Sequence, residues 1–178
     1  TGWRQSRDRF RIRLNTPTVL ETERVLTLDG ETYCCGYAEL GNPGIPHLTV
    51  EIPDLLLRID DEEALGALRT LGRKLRHHPA LPKGANVNFY QVTGPQHLRQ
   101  LTYERGVEDF TLACGTGTGS VVAALMRRGL VSGENTKVHV PGGELFITLN
   151  TDPQTQEITD IYLTGPTNIV AEGEVCDE

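Results

Sequence analysis

Thr111-Leu112-Ala113-Cys114-Gly115-Thr116-Gly117-Thr118-Gly119-Ser120 runs straight into Val121-Val122-Ala123-Ala124-Leu125-Met126-Arg127-Arg128-Gly129, and the rest of the chain is organised around this stretch. A cysteine stands before a glycine-rich turn, and the turn opens into a helix whose first residues are small. The first four N–H groups of a helix lack intrahelical acceptors, and the helix dipole adds about half a positive charge at that end. Gly115, Gly117 and Gly119 let the backbone approach a bound anion closely. The turn therefore reads as an anion pocket with a thiol in it, and its field is expected to pull Cys114 below the free thiol pKa of about 8.5. Cys114 is thus a candidate acid or base beside amides that bind a carboxylate or phosphate. The competing reading is a small buried hydrophobe, where most free cysteines sit.

From Val121 to Met126 the helix has no polar face, and a helix that is apolar all round is buried on every side, so sheet must surround it. Gly129 is placed to close it. Four further strands are expected downstream, over Thr136 to Pro141, Glu144 to Leu149, Ile158 to Leu163 and Ile169 to Val175, separated by Gly-rich or Asp-Pro turns.

Upstream, Phe10 to Leu14 alternates and meets Asn15-Thr16-Pro17, and Thr18 to Leu28 and Glu31 to Glu39 read as a hairpin about Asp29-Gly30. Cys34 and Cys35 lie inside its second strand, where neighbours point to opposite faces, and a packing role is expected for both. The loop Gly41-Asn42-Pro43-Gly44-Ile45-Pro46 feeds a strand from His47 to Ile52. Leu65, Leu68, Leu71 and Leu75 recur at spacings of three and four behind Asp60-Asp61, which predicts an amphipathic helix over Glu62 to Arg76. His77 and His78 end that helix without an acidic or thiol partner at ligand spacing, so no metal site is expected there. Asn86 to Val92 and His97 to Tyr103 are two strands joined by Thr93-Gly94-Pro95-Gln96, and they deliver Glu104-Arg105-Gly106 to the edge of the cysteine turn. A Glu-Arg pair is commonly a surface ion pair; beside an anion pocket, Glu104 and Arg105 also supply the complement of an amino acid. The expected fold class is α/β (α+β): a mixed, mostly antiparallel curved sheet wrapped around a central buried helix.

The 178 residues suit one core of ordinary size, and the net charge of −7 argues against nucleic acid and anionic membranes as partners. No apolar run approaches the roughly 20 residues needed to span a bilayer, and no signal peptide opens the chain. Four cysteines show neither a disulfide framework nor paired metal spacing, so a reducing cytoplasm is the expected location. The glycine turn lacks the Gly-Lys-Ser/Thr ending of a P-loop, which sets aside a nucleotide enzyme.

Five motifs in order resemble those of the diaminopimelate epimerases: Asn86-Val87-Asn88-Phe89, Tyr103-Glu104-Arg105-Gly106-Val107-Glu108-Asp109, Ala113-Cys114-Gly115-Thr116-Gly117, Pro141-Gly142-Gly143-Glu144-Leu145 and Leu163-Thr164-Gly165-Pro166. The resemblance runs from about Gly41 to Val175. It implies a cofactor-independent epimerase that inverts the α-carbon of LL-diaminopimelate to the meso form, on the route to lysine and peptidoglycan. Two cysteines would face each other across the substrate, one as thiolate base and one as thiol acid, each at a Gly-rich turn in one of two pseudo-symmetric domains. Carried over, Cys114 is one of these thiols, Gly115 and Thr116 offer amides to the α-carboxylate, Glu104 and Arg105 bind amino and carboxylate groups, and Asn86 holds the distal end. The resemblance also implies an amino-acid substrate and a homodimer, with no cofactor.

The sequence departs from the family pattern at three places. No Cys-Gly-Asn-Gly turn is present, so the chain reads as a C-terminal portion that needs an N-terminal domain carrying the second cysteine. On this reading residues 1–36 are crossover strands from that missing domain, 37–178 form the C-terminal catalytic domain, and the portion alone is inactive. Gly41-Asn42-Pro43-Gly44-Ile45-Pro46-His47 stands where Gly-Asn-Pro-His is common, so either Asn42 or Ile45 occupies the substrate-asparagine place. Phe110 replaces a usual acidic residue beside Thr111. A related racemase with a different amino-acid substrate, or a non-catalytic amino-acid-binding module, are the competing functions.

Overall fold

The computed structural model describes residues 1–174 and 176. In chain order these form β1 (Gly2–Arg4), β2 (Arg9–Leu14), β3 (Pro17–Leu28), β4 (Glu31–Leu40), β5 (Ile45–Glu51), α1 (Leu55–Ile59), α2 (Glu62–Arg76), β6 (Asn86–Gly94), β7 (His97–Glu104), β8 (Asp109–Thr111), α3 (Gly115–Arg127), β9 (Thr136–Val140), β10 (Gly143–Thr151) and β11 (Ile158–Pro166). All the strands join one mixed sheet in the order β1-β2-β11-β10-β9-β7-β6-β5-β4-β3, with β8 paired to β7. The pairings are antiparallel except β5 with β6 and β7 with β9. The parallel β5–β6 pair needs a crossover, and α1 and α2 supply it.

The sheet bends around α3, which touches β3 and β4 near one end of the strand order and β10 and β11 toward the other. Residues Gly117 to Leu125 of α3 are all buried, as an all-apolar helix requires. Gly129 ends it in the left-handed region at φ 72°, and the Leu130 amide reaches back to the Leu125 carbonyl. On the opposite side of the sheet lies α2. Its Leu68 and Leu75 pack with α1 Leu55 on Leu48, Val50, Phe89, Leu101 and Tyr103. Asp61 caps α2, its carboxylate accepting from the Glu63 and Ala64 amides at 2.9 and 3.1 Å.

Strand alternation sorts β5, β6 and β7 between the two helices. Leu48, Val50, Val87, Phe89, Leu101 and Tyr103 face α2. Their neighbours His47, Thr49, Asn86, Asn88, Gln100 and Thr102 fall on the other face, and all are buried.

Two expectations are corrected here, and the place of Phe110 is settled. No strand forms over residues 169–174, and Val175 lies outside the described residues; β11 is already paired on both edges by β10 and β2, and Ile169 and Val170 are exposed. Cys35 is buried, its thiol pushed up to about 12 by burial and by Cys34, but Cys34 is exposed and does not pack. Phe110 stands edge-on to Tyr103 and Phe89, at centroid distances of 6.0 and 6.4 Å, on the α2 side of the sheet. Its replacement of an acidic residue therefore adds to the outer core.

Candidate active site

Cys114 occupies the N-cap of α3 in extended conformation, φ −132° and ψ 100°, and makes no side-chain cap bond. Its carbonyl accepts from the Thr118 amide at 2.8 Å and the Thr118 hydroxyl at 2.9 Å, which fixes the turn. The sulfur lies 3.8 Å from Thr116 Oγ1. Burial raises the Cys114 pKa above the ordinary thiol value; the Gly117 amide and Thr116 hydroxyl oppose that shift, and the Glu104 charge adds to it. The sequence expectation of a depressed pKa is therefore overturned in this state. The helix field is present, but the cost of burying a thiolate exceeds it.

Gly117 is required by close approach. A Cβ there would run into Asn88 Oδ1 and come within 3.1 Å of the Cys114 sulfur. Asn88 holds the floor beneath this turn: its amide donates to the Leu48 carbonyl at 3.0 Å, and its Oδ1 accepts from Thr102 Oγ1 at 3.0 Å. Gln100 donates to Thr102 Oγ1 at 3.0 Å. His47 Nδ1 lies 3.4 Å from the Asn88 amide, while His47 Nε2 is buried with no hydrogen-bond partner among the described residues. Burial, with the Arg105 charge second, pushes His47 down to about 3, so the ring is neutral.

The rim is drawn together by Asn86. Its Oδ1 accepts from the Arg105 amide at 2.8 Å and its Nδ2 donates to the Pro46 carbonyl at 3.3 Å. One residue thus ties the 104–106 loop to the 41–46 loop. The Arg105 guanidinium donates to the Lys83 carbonyl at 3.0 Å, and Lys83 pairs with Glu39 at 2.8 Å. Glu104 Oε2 accepts from Thr111 Oγ1 at 2.9 Å, three residues before Cys114, so the carboxylate lies at the mouth of the cysteine turn. Leu112 stands exposed beside it and is held by the Gly142 amide, which donates to the Leu112 carbonyl at 2.7 Å.

Of the residues singled out from sequence, Cys114, Gly115, Thr116 and Glu104 converge on the turn, and Asn86 and Arg105 form the adjoining rim. Asn42 is exposed in the turn before Ile45, and Pro46 is the loop residue that meets Asn86. The sequence reading passed over His47, Asn88, Gln100 and Thr102. Their signal was available as polar residues recurring every second position in strands otherwise apolar, Asn86-Val87-Asn88-Phe89 and Gln100-Leu101-Thr102. His77 and His78 stand elsewhere: His78 Nε2 donates to the Thr27 carbonyl at 3.0 Å, and His77 lies 3.5 Å from Glu108. Among the described residues no three His, Cys, Asp or Glu side chains converge as a metal site, and no helix is long and apolar enough to cross a membrane.

The family model for diaminopimelate epimerase matches residues 41–170. The diaminopimelate epimerase of Aquifex aeolicus is 33% identical over 96% of this chain and 56% of its own length, and that of Xylella fastidiosa (strain M23) is 38% identical over 85% and 47%. The chain thus spans about half the length of these curated relatives. Among solved structures, a probable proline racemase from Agrobacterium radiobacter K84 superposes with a TM-score of 0.66 at 18% identity, over 93% of this chain and 54% of that one. A Bacillus anthracis phenazine biosynthesis protein of the PhzF family gives a TM-score of 0.55 at 10% identity, over 88% and 57%. These two share the fold, whereas the matched segment containing the cysteine turn and its rim shows that the chain belongs to the diaminopimelate epimerase family.

Proposed function

We propose that this chain is the C-terminal half of a cofactor-independent, two-thiol epimerase that interconverts LL- and meso-diaminopimelate. The observation that carries the reading is Cys114, buried at the N-cap of α3 with free helix amides beside it and Glu104 at its mouth. Abstraction of an α-proton leaves negative charge on the α-carboxylate, and the Gly115 and Thr116 amides would donate to it there. Glu104 would take the substrate ammonium and Arg105 a carboxylate. Asn86 has one Nδ2 hydrogen on Pro46 and a second left for the distal end of the substrate. Asn42 and Ile45 both stand on the loop that Asn86 anchors, and either can contact that distal end.

Burial favours the protonated form of Cys114, so in the resting state it is suited to give a proton to the α-carbon. The opposite face needs a thiolate from elsewhere. On this reading the second cysteine belongs to an N-terminal domain, residues 1–36 lead out of that domain, and the chain alone exchanges no α-proton with inversion. A cytoplasmic location and a homodimer belong to the same proposal.

The test is α-proton exchange with solvent deuterium on LL-diaminopimelate, using a longer chain that restores the preceding half. The wild type is expected to exchange and invert, and Cys114→Ala to lose inversion by at least about a hundredfold. Inversion by the variant at the wild-type rate makes Cys114 structural and the mechanism wrong. Binding of small amino acids without exchange of this substrate would instead favour a racemase of different specificity or a binding module.

A further inference from the structure

A second polar recess lies on the sheet face opposite α3, beside α1, and none of its residues belongs to the cysteine turn. Its walls are Leu56 of α1 and Thr93, His97, Arg99, Lys137 and His139 of the sheet. The parallel β7–β9 register sets His97 against Lys137 and Arg99 against His139, so alternation brings four basic side chains to one face. They cluster in a chain whose net charge is −7. Between them, Leu98 and Val138 turn the other way into the core around α3.

Two observations indicate a built site. Arg99 Nε is buried and has no hydrogen-bond partner among the described residues, although a buried guanidinium donor ordinarily finds an acceptor. Among the described residues one carboxylate contacts the cluster, Glu144, which lies 2.5 Å from Lys137 Nζ and 3.8 Å from His139 Nδ1. Lys137 has two further donors and Arg99 its whole fork, so positive charge remains after Glu144 is counted. Leu56 gives the recess one apolar wall, and its backbone is held in place by the Gln91 carboxamide, which accepts from the Leu56 amide at 3.0 Å.

We propose that this recess binds a small, multiply charged oxyanion, with Arg99 as its bidentate anchor and Lys137, His97 and His139 around it. A guanidinium fork matches phosphate and carboxylate geometry equally, so the shared chemistry is an oxyanion group with at least two acceptor oxygens. The site is independent of the epimerase reading, since it shares no residue with the cysteine turn or its rim.

Calorimetric titration with pyrophosphate and, separately, with citrate at constant ionic strength tests it. At least one probe is expected to bind saturably with one-to-one stoichiometry; pyrophosphate alone identifies a phosphate ligand and citrate alone a carboxylate. Arg99→Gln is expected to weaken binding by about tenfold or more, and Lys137→Gln by several-fold while leaving the fold intact. Cys114→Ser is expected to bind as the wild type does. The proposal is overturned if neither probe binds, if both basic-residue variants bind like wild type, or if Cys114→Ser abolishes binding, which would place the anion at the cysteine turn.

Discussion

Over residues 47–50, 86–89 and 100–103, β5, β6 and β7 carry apolar side chains to α2 and polar ones to the face that meets α3, the two faces being taken by alternate residues of the same strands. Toward α2 the packing is Leu48, Val50, Val87, Phe89, Leu101 and Tyr103, and toward α3 it is His47, Thr49, Asn86, Asn88, Gln100 and Thr102. A buried polar group contributes to stability only when it is satisfied. The inner face leaves His47 Nε2 and Gln100 Oε1 without partners among the described residues. The outer face is thus built for stability, while the inner one gives some of it up to hold a polar floor under the cysteine turn.

The sharpest way to break that contrast is a methyl group between α3 and its floor. Alanine is ordinarily the better helix former, by about 1 kcal/mol over glycine. At Gly117 the new Cβ would collide with Asn88 Oδ1, which Thr102 and Gln100 already hold, so the floor cannot yield without leaving buried polar atoms unpaired. Gly117→Ala is expected to destabilise the chain by about 3 kcal/mol, read by urea unfolding. A loss below about 0.5 kcal/mol would mean that the helix does not sit this close to Asn88.

The inner face should also carry a pH signature. His47 is neutral in the folded chain because its pKa is pushed down to about 3, against an ordinary histidine value of 6.5. As the pH falls, the unfolded chain takes up a proton that the folded chain refuses. The stability held above pH 6.5 is therefore lost progressively as the pH falls toward 3. Between pH 7 and pH 5 the loss is expected to be about 2 kcal/mol. His47→Gln removes the titration, so its unfolding free energy should be flatter over that interval whatever its starting value. Equal slopes in the two proteins would show that His47 is open to water.

How far each face was legible in the sequence follows from what its residues signal locally. α2 announces itself through Leu65, Leu68, Leu71 and Leu75 behind the Asp61 cap, and structure and expectation share the bounds Glu62–Arg76. α3 was readable from the glycine turn and the apolar run after it, and with it the central helix inside a sheet. β1, α1 and β8 were not foreseen; they span three, five and three residues, too short for any period to show, and tertiary neighbours define them. Cys114, Glu104 and Arg105 were found because their chemistry is concentrated in short motifs. His47, Asn88, Gln100 and Thr102 come from three strands and meet only when β5, β6 and β7 pair. The raised thiol pKa of Cys114 escaped for a related reason. A sequence shows the helix end that supplies the field, but the desolvation that outweighs it depends on what the fold places around the sulfur.

The outer helix offers the converse test of the same backbone chemistry. Gly66 sits inside α2, and a Cβ there would meet nothing within 4 Å, whereas a Cβ on Gly72, six residues on, would come within 2.9 Å of Tyr103 Cβ and Cγ. The first glycine does no packing that a methyl would disturb, so only its conformational freedom counts, and that freedom favours the unfolded chain. Gly66→Ala is expected to stabilise the protein by about 0.5–1 kcal/mol. The same substitution on α3 at Gly117 should have the opposite sign, which makes the pair an internal control for helix propensity. If both substitutions stabilise, propensity governs both helices and the tight floor under the cysteine turn is not a constraint. If Gly66→Ala destabilises as Gly117→Ala does, α2 packs against a neighbour at Gly66, and the division between a packing face and a site face fails on its outer side.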